Sequence, residues 1–253
     1  MMEENKKTAK KGNAGSRLRT LELTYQPVFD VHLNMAIDFV TSMRINDRQM
    51  GVLLQDTIFP IAEKSNQICE LNRWNIEEGC DAILRCEKRD VDINRLIVPV
   101  SKKYLSKNYA LKQLIKIVES KDVAPDKFCL NISESIFEAE KAQVTENIKQ
   151  LREYGFLVSI DDFGVEYTSV SHLGLYDVDY IGINAELIDD IMTDEKVQNR
   201  VQGIIDFCKK IETKTKFDGV DSEEKANLLK SMGADQMMGS FYGKPISEKQ
   251  IKI

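Results

Sequence analysis

Short apolar runs alternate with helix-patterned stretches along most of this chain, and that rhythm restricts the fold more than any single residue does. Leu96–Val100, Phe128–Ile132, Leu157–Phe163, Tyr180–Ile183, Lys214–Val220 and Asp235–Ser240 read as strands. Leu111–Val118, Glu138–Tyr154, Ser169–Leu175, Glu186–Ile211 and Ser222–Met232 read as the helices between them. Strands and helices that take turns at this spacing imply a parallel sheet. Ahead of them, Leu21–Val28 and Met35–Met43 alternate like two more strands, with Asp30–Asn34 as the turn. That connection is too short for a parallel crossover, so these two strands are expected to be antiparallel. Residues 52–87 carry helical spacing in Leu53, Leu54, Ile58, Ile61, Ala62, Ile68, Leu71 and Trp74, enough for two helices. Eight or so strands over roughly 230 residues fit a closed (β/α)8 barrel better than an open sheet.

The chain has 253 residues, of which 42% are hydrophobic, as an ordinary globular protein would. Its net charge of −6 gives no support to a general nucleic-acid surface. Residues 1–18 hold the one basic-biased stretch, with Lys6, Lys7, Lys10, Lys11 and Arg17, diluted by Glu3 and Glu4. They read as a solvated, disordered tail, followed by a barrel domain over residues 19–253. Five cysteines with no C-x-x-C pair read as reduced thiols in a cytoplasmic protein. No apolar run approaches a membrane span and no signal peptide is visible, so no membrane partner is expected. His32 and His172 lack partners at metal-ligand spacing.

The run Phe156–Ile160 ends in Asp161-Asp162-Phe163-Gly164. In an α/β barrel, a buried strand delivers such acids to the mouth, where the chain turns into a helix. Paired carboxylates there can hold divalent ions against a phosphate. An Asp just after a strand can equally cap the next helix or brace a turn.

Several segments, in order, resemble the EAL family, bacterial phosphodiesterases that hydrolyse cyclic di-GMP. Tyr25-Gln26-Pro27-Val28 resembles Y-Q-P-I. Asp161-Asp162-Phe163-Gly164 with Tyr167-Thr168-Ser169 resembles D-D-F-G-T-G-Y-S-S. Val178 to Asn184 resembles V-D-x-L-K-I-D, Asp218-Gly219-Val220-Asp221 resembles E-G-V-E, and Gly239 to Pro245 resembles G-Y-L-F-G-R-P. The resemblance covers the chain from about residue 21 and implies an EAL-type (β/α)8, TIM-like barrel with one antiparallel strand at its start. It also implies two-metal hydrolysis, in which divalent ions roughly 3.5–4 Å apart clamp the attacking and leaving oxygens, with a lysine that helps activate water.

Against that pattern, this chain departs at most of the working positions. With Arg44 matched to the family's downstream Arg, the family-naming Glu falls at Val40, in a Val40-Thr41-Ser42 triplet. The Asn ligand falls at Pro99, the metal-binding Glu of E-x-T-E at Asn131, and the lysine at Gly182, with no substitute amine expected nearby. The Asp after that lysine is Asn184, the Glu of E-G-V-E is shortened to Asp218, and the Gln before Gly239 is Met238. Asp161 and Asp162 remain, and with Asp218 they read as a vestigial site, with Asp161 and Asp162 as its weak metal ligands. Glu134 matches an acid that supports a loop in the family. Gln26 and Arg44 are the candidate ligand-binding residues, with a barrel-mouth ion pair as the other reading for Arg44. Met238 and Phe241 read as packing residues. No cofactor is required on this reading, and Mg²⁺ or Mn²⁺ enters only if the vestigial site binds metal.

The resemblance therefore implies a stand-alone, degenerate EAL protein, a non-catalytic regulator acting by protein–protein interaction on transcription or motility, in or near cyclic di-GMP signalling. The expected partner is a cytoplasmic regulatory protein, with a homodimer and weak cyclic di-GMP binding as further expectations. One alternative is a cyclic di-GMP receptor without hydrolysis, and another is a weak cyclic di-GMP phosphodiesterase.

Overall fold

The computed structural model describes residues 20–47, 49–133, 141–164 and 177–252. The chain opens with a long hairpin, β1 (Thr20–Asp30) and β2 (Met35–Asp47), paired antiparallel from Thr20 opposite Asn46 to Asp30 opposite Met35. Its turn is held by the Asp30 carboxylate, which accepts from the backbone N–H groups of His32 and Leu33 at 2.9 Å. Asn34 takes the left-handed conformation the turn requires, at φ 55°. At the far end of β2 the chain doubles back again as β3 (Gly51–Leu54), with Gly51 at φ 75°.

Helices α1 (Gln55–Lys64) and α2 (Ile68–Glu87) lead to β4 (Arg95–Pro99). Then follow α3 (Lys102–Leu105), α4 (Ala110–Lys121), β5 (Phe128–Ser133), α5 (Lys141–Tyr154) and β6 (Leu157–Phe163). The chain continues through β7 (Tyr180–Ile183), α6 (Glu195–Lys210), β8 (Lys214–Phe217), α7 (Glu223–Met232) and β9 (Gln236–Met237). Hydrogen bonding runs β1-β9-β8-β7-β6-β5-β4-β2, and the β1–β2 hairpin closes the ring. Strand β1 is antiparallel to both its neighbours, and the other pairs in the ring are parallel. The expected closed α/β barrel with one antiparallel strand at its start is therefore the fold observed.

Several boundaries differ from those expected. Leu53 and Leu54 lie in β3, outside the ring on β2, and not in the first helix. A short apolar run does not distinguish strand from helix by periodicity, and here the turn at Gly51 decides. The stretch from Glu186 is not yet α-helical. Asn184 caps a short 3-10 turn at Ala185–Leu187, and α6 begins only after Asp194, whose carboxylate accepts from the Lys196 N–H at 2.8 Å. Strand β8 stops at Phe217 and β9 keeps only two residues. The tail at residues 1–18, Glu134, the segment Ser169–Leu175 and His172 lie outside the described residues.

Period-two alternation sorts the strand residues into two cores. Leu96, Val98, Leu130, Val158, Ile160, Ile181, Ile183 and Phe217 pack outward under the helices. Val28, Ile97, Cys129, Tyr180 and Met238 meet inside the barrel, with Val40 and Leu157 against them. Beneath this inner layer the barrel floor is polar. Buried Asp38 accepts from Asn94 Nδ2 at 2.6 Å and Gln236 Nε2 at 2.8 Å, and pairs with Arg95 at 3.5 Å. All five cysteines are free. Among the described residues, no helix is long and apolar enough to cross a membrane.

Candidate functional site

The same alternation decides which side chains reach the mouth. Asn131 on β5, Ser159 and Asp161 on β6, Gly182 on β7, and Lys216 with Asp218 on and after β8 share the inner face. Of these, Asn131, Asp161 and Asp218 line a cleft of about 440 Å³. Its lining includes Gln26, Val40, Pro99, Asn131, Asp161, Asp162, Asp218 and Met238. Asp56 and Glu63 from α1 and Lys102 from α3 line it too, and no motif in the sequence points to them.

At the end of β6 the register with β7 shifts between Ile160 and Phe163, and Asp162 adopts φ 61°. This irregularity lets two consecutive acids serve different purposes, since a bulge re-aims the side chain that follows it. The Asp162 carboxylate accepts from Asn184 Nδ2 at 3.2 Å, while Asn184 Oδ1 accepts from the Glu186 N–H at 2.9 Å. Asp162 thus braces the start of the chain after β7. Burial, and next the charge of Asp161, push its carboxyl above the ordinary range.

Asp161 sits in a different network. Its Oδ2 accepts from Asn131 Nδ2 at 2.6 Å, and Asn131 Oδ1 accepts from Ser159 Oγ at 2.5 Å. Lys216 Nζ lies 3.2 Å from both Asp161 oxygens, on a side chain only 1% exposed. Burial alone would raise the Asp161 carboxyl. The Lys216 ammonium and the hydrogen bond from Asn131 outweigh that and hold it below the ordinary range. Burial disfavours the Lys216 charge too, yet Asp161 and then Asp218 hold its pKa above that of a free lysine.

Lys216 corrects the expectation that Gly182 leaves the mouth without an amine. The two residues face one another across β7 and β8, so the amine is present one strand further round the barrel. No amine lies near position 182 in sequence; the β7–β8 pairing is what brings Lys216 beside it. The available signal was spacing: Lys216 lies two residues before Asp218, and in a strand residues two apart share a face.

The other candidates fall as follows. Asp218 Oδ1 accepts from the Gly219 N–H at 2.6 Å, and burial pushes its carboxyl up. Gln26 lines the cleft and its Nε2 donates to Gly243 O at 3.2 Å. Arg44 is in the ion-pair arrangement, its Nε and Nη2 donating to Glu22 Oε2 at 3.1 and 2.9 Å, and it is not part of the cleft lining. Met238 is buried, whereas Phe241 is 45% exposed and stacks edge-on against Tyr242. Glu134 lies outside the described residues.

The donor set does not fit a pair of divalent ions. Val40, Pro99 and Gly182 present no side-chain oxygen or nitrogen. Asn131 spends its amide nitrogen on Asp161 and its oxygen on Ser159. Among the described residues, no group of three or more His, Cys, Asp or Glu is placed to hold a metal.

The chain matches the EAL domain family pattern over residues 13–245. The oxygen sensor protein DosP of Escherichia coli is 22% identical over 91% of this chain and 29% of that protein. The biofilm architecture maintenance protein MbaA of Vibrio cholerae is 25% identical over 90% of this chain and 29% of that protein. This chain therefore spans less than a third of the length of these curated relatives. Among solved structures, the PaMucR phosphodiesterase in complex with c-di-GMP superposes with a TM-score of 0.83 at 22% identity, over 91% of this chain and 93% of that one. An EAL domain protein from Listeria monocytogenes gives 0.80 at 23% identity, over 92% and 91%. The barrel with its single antiparallel strand, the paired acids at the end of β6 and a family match over nearly the whole length lead to one assignment: this chain belongs to the EAL domain family.

Proposed function

We propose that this EAL domain does not hydrolyse cyclic di-GMP and instead regulates a protein partner, a factor controlling transcription or motility. The observation that carries this reading is the composition of the cleft. Strands β2 and β4 bring Val40 and Pro99 to its lining, while Asp56, Glu63, Asp162 and Asp218 outnumber Lys102 there and leave it acidic. Among the described residues, Asp161 is the one acid there paired with a buried cation. A cyclic dinucleotide carries two phosphodiester charges and would meet these carboxylates without a metal to screen them. A receptor that binds without cutting would face the same repulsion.

The surface offers a place for a macromolecule instead. Among the described residues, strand β3 is the last in the sheet order and pairs with β2 alone. Met50, Val52, Leu54 and, on the adjoining α1, Ile61 are each more than half exposed. Edge strands template pairing with another chain, and exposed apolar patches on monomers mark contact surfaces.

Calorimetric titration with cyclic di-GMP, with and without Mg²⁺, tests the first half, and no heat of binding is expected below about 10 μM ligand. Affinity capture with the native chain and with Val52→Glu/Leu54→Glu tests the second. The native chain should retain a stoichiometric regulator that the variant loses. Submicromolar dinucleotide binding, or identical captures with both chains, would overturn the proposal.

A further inference from the structure

We infer that Lys216 is a resident cation that takes the place of metal in this barrel mouth and keeps divalent ions out of it. The metal pair that EAL-type hydrolysis implies and the donors at this mouth disagree, whatever partner the surface binds.

Lys216 Nζ is 3.2 Å from each oxygen of Asp161, so the ammonium bridges the two carboxylate oxygens, a position a cation would otherwise take. Asn131 fixes that orientation from the other side, donating to Oδ2 at 2.6 Å. Ser159 Oγ donates to Asn131 Oδ1 at 2.5 Å, which turns the amide nitrogen toward the carboxylate, so Asn131 meets Asp161 as a donor while its oxygen faces Ser159.

The arrangement depends on Gly182 as much as on Lys216. Gly182 pairs with Lys216 between β7 and β8 and stands between that lysine and β6. A Cβ built at 182 would lie 2.8 Å from Asp161 Cγ, and closer still to Oδ1. With no side chain at 182, the Asp161 carboxylate occupies that space and Lys216 reaches it across the gap. Glycine at 182 and lysine at 216 are therefore two halves of one substitution: the amine has moved a strand, and the vacated position gives room to the acid it holds. A divalent ion beside Asp161 would face this fixed positive charge a few ångströms away at the floor of the cleft, where like charges repel even with partial solvent screening.

An ordinary structural ion pair would show the same distances, so the test must separate the two roles. Thermal melts of the full chain with 0 and 10 mM MnCl₂ do so, alongside electron paramagnetic resonance to count bound Mn²⁺. The native chain should bind no Mn²⁺ and its Tm should shift by no more than about 1 °C. Lys216→Met leaves Asp161 uncompensated, and its Tm should fall by roughly 6–20 °C. Mn²⁺ should then bind this variant and raise its Tm by about 5–10 °C, as expected for ligand at about a hundred times its Kd. Lys216→Met/Asp161→Ala should lose the metal response. Should Lys216→Met fail to fold, Lys216→Gln keeps a donor to Asp161, removes the charge and carries the same expectation. A native chain that binds Mn²⁺, or folded Lys216 variants that ignore it, would overturn the inference.

Discussion

Replacing Gly182 with alanine should destabilise the barrel by about 2–4 kcal/mol, against the usual preference for alanine over glycine. Gly182 lies in β7 and is not among the residues with positive φ, so alanine can adopt its backbone conformation. On backbone grounds alone the change should stabilise by about 0.4–1 kcal/mol, because it reduces the freedom of the unfolded chain. The opposing effect is local. The new Cβ would stand 2.8 Å from Asp161 Cγ and 3.2 Å from Asp161 Cα. The Cα belongs to β6 and cannot retreat without disturbing the sheet, so the carboxylate must swing away from Lys216. That strands a side chain that is 1% exposed without its counter-ion. Breaking a buried pair in this way typically costs about 3–5 kcal/mol. Asp161 is itself 23% exposed and can find water, which places the net effect below the top of that range.

Urea denaturation should show a lower midpoint with an unchanged slope, the sign of a stability change without a change in compactness. The decisive arm is the background. In Asp161→Ala the pair is already lost and the obstructing carboxylate is gone, so adding Gly182→Ala should change stability by no more than about 1 kcal/mol. If Gly182→Ala is as stable as the native chain, or costs the same in both backgrounds, then Asp161 is not what requires a glycine at 182.

The remaining expectations concern the mouth and the floor. Purified protein should not linearise cyclic di-GMP with Mg²⁺ or Mn²⁺, and turnover above that of Asp161→Ala/Asp162→Ala would refute this. Asp162 titrates above the ordinary carboxylate range, so its protonated form favours folding. That contribution is complete below the unfolded value and lost as pH rises through the folded one. Asp162→Asn should therefore raise Tm at pH 7 and have little effect near pH 3, as read from melts across that span. At the barrel floor, Asp38→Ala should cost about 3–5 kcal/mol in urea, since it leaves Arg95, Asn94 and Gln236 donors without their buried acceptor. Asp38→Asn, which keeps an acceptor, should cost markedly less.

The barrel was legible because parallel strands buried on both faces write themselves as apolar runs at regular spacing. Phe128–Ile132 and Leu157–Phe163 could be placed from composition alone. What stayed illegible were elements set by tertiary context. Strand β3 is too short to show a period, and Val52 to Leu54 became a strand because β2 extends to Asp47 and offers an edge. Gln236–Met237 counts as a strand only because β1 and β8 flank it. In the site, Asp161 and Asp162 looked alike as letters. Their separate environments come from a break in the β6–β7 register that no propensity announces.

Lys216 shows why a residue-by-residue comparison reaches its limit inside a barrel. Such a comparison asks whether each position keeps its chemistry, and at 182 the answer is that the amine is gone. The physical requirement, however, is attached to a region of space. Neighbouring parallel strands place their inward side chains within reach of the same region, so a charge can pass from one strand to the next. Two conditions must hold: the register must keep the new residue on the inner face, and the old position must clear the way. Gly182 opposite Lys216 meets both. A buried lysine is tolerated only beside an acid, because an unpaired ammonium in the interior would lose its proton or unfold its surroundings. Of the acids at this mouth, Asp161 is thus the one tied to the lysine, the counter-ion that allows Lys216 to be buried there. Substituting Asp161 alone should then injure the fold more than substituting Asp161 and Lys216 together with apolar residues.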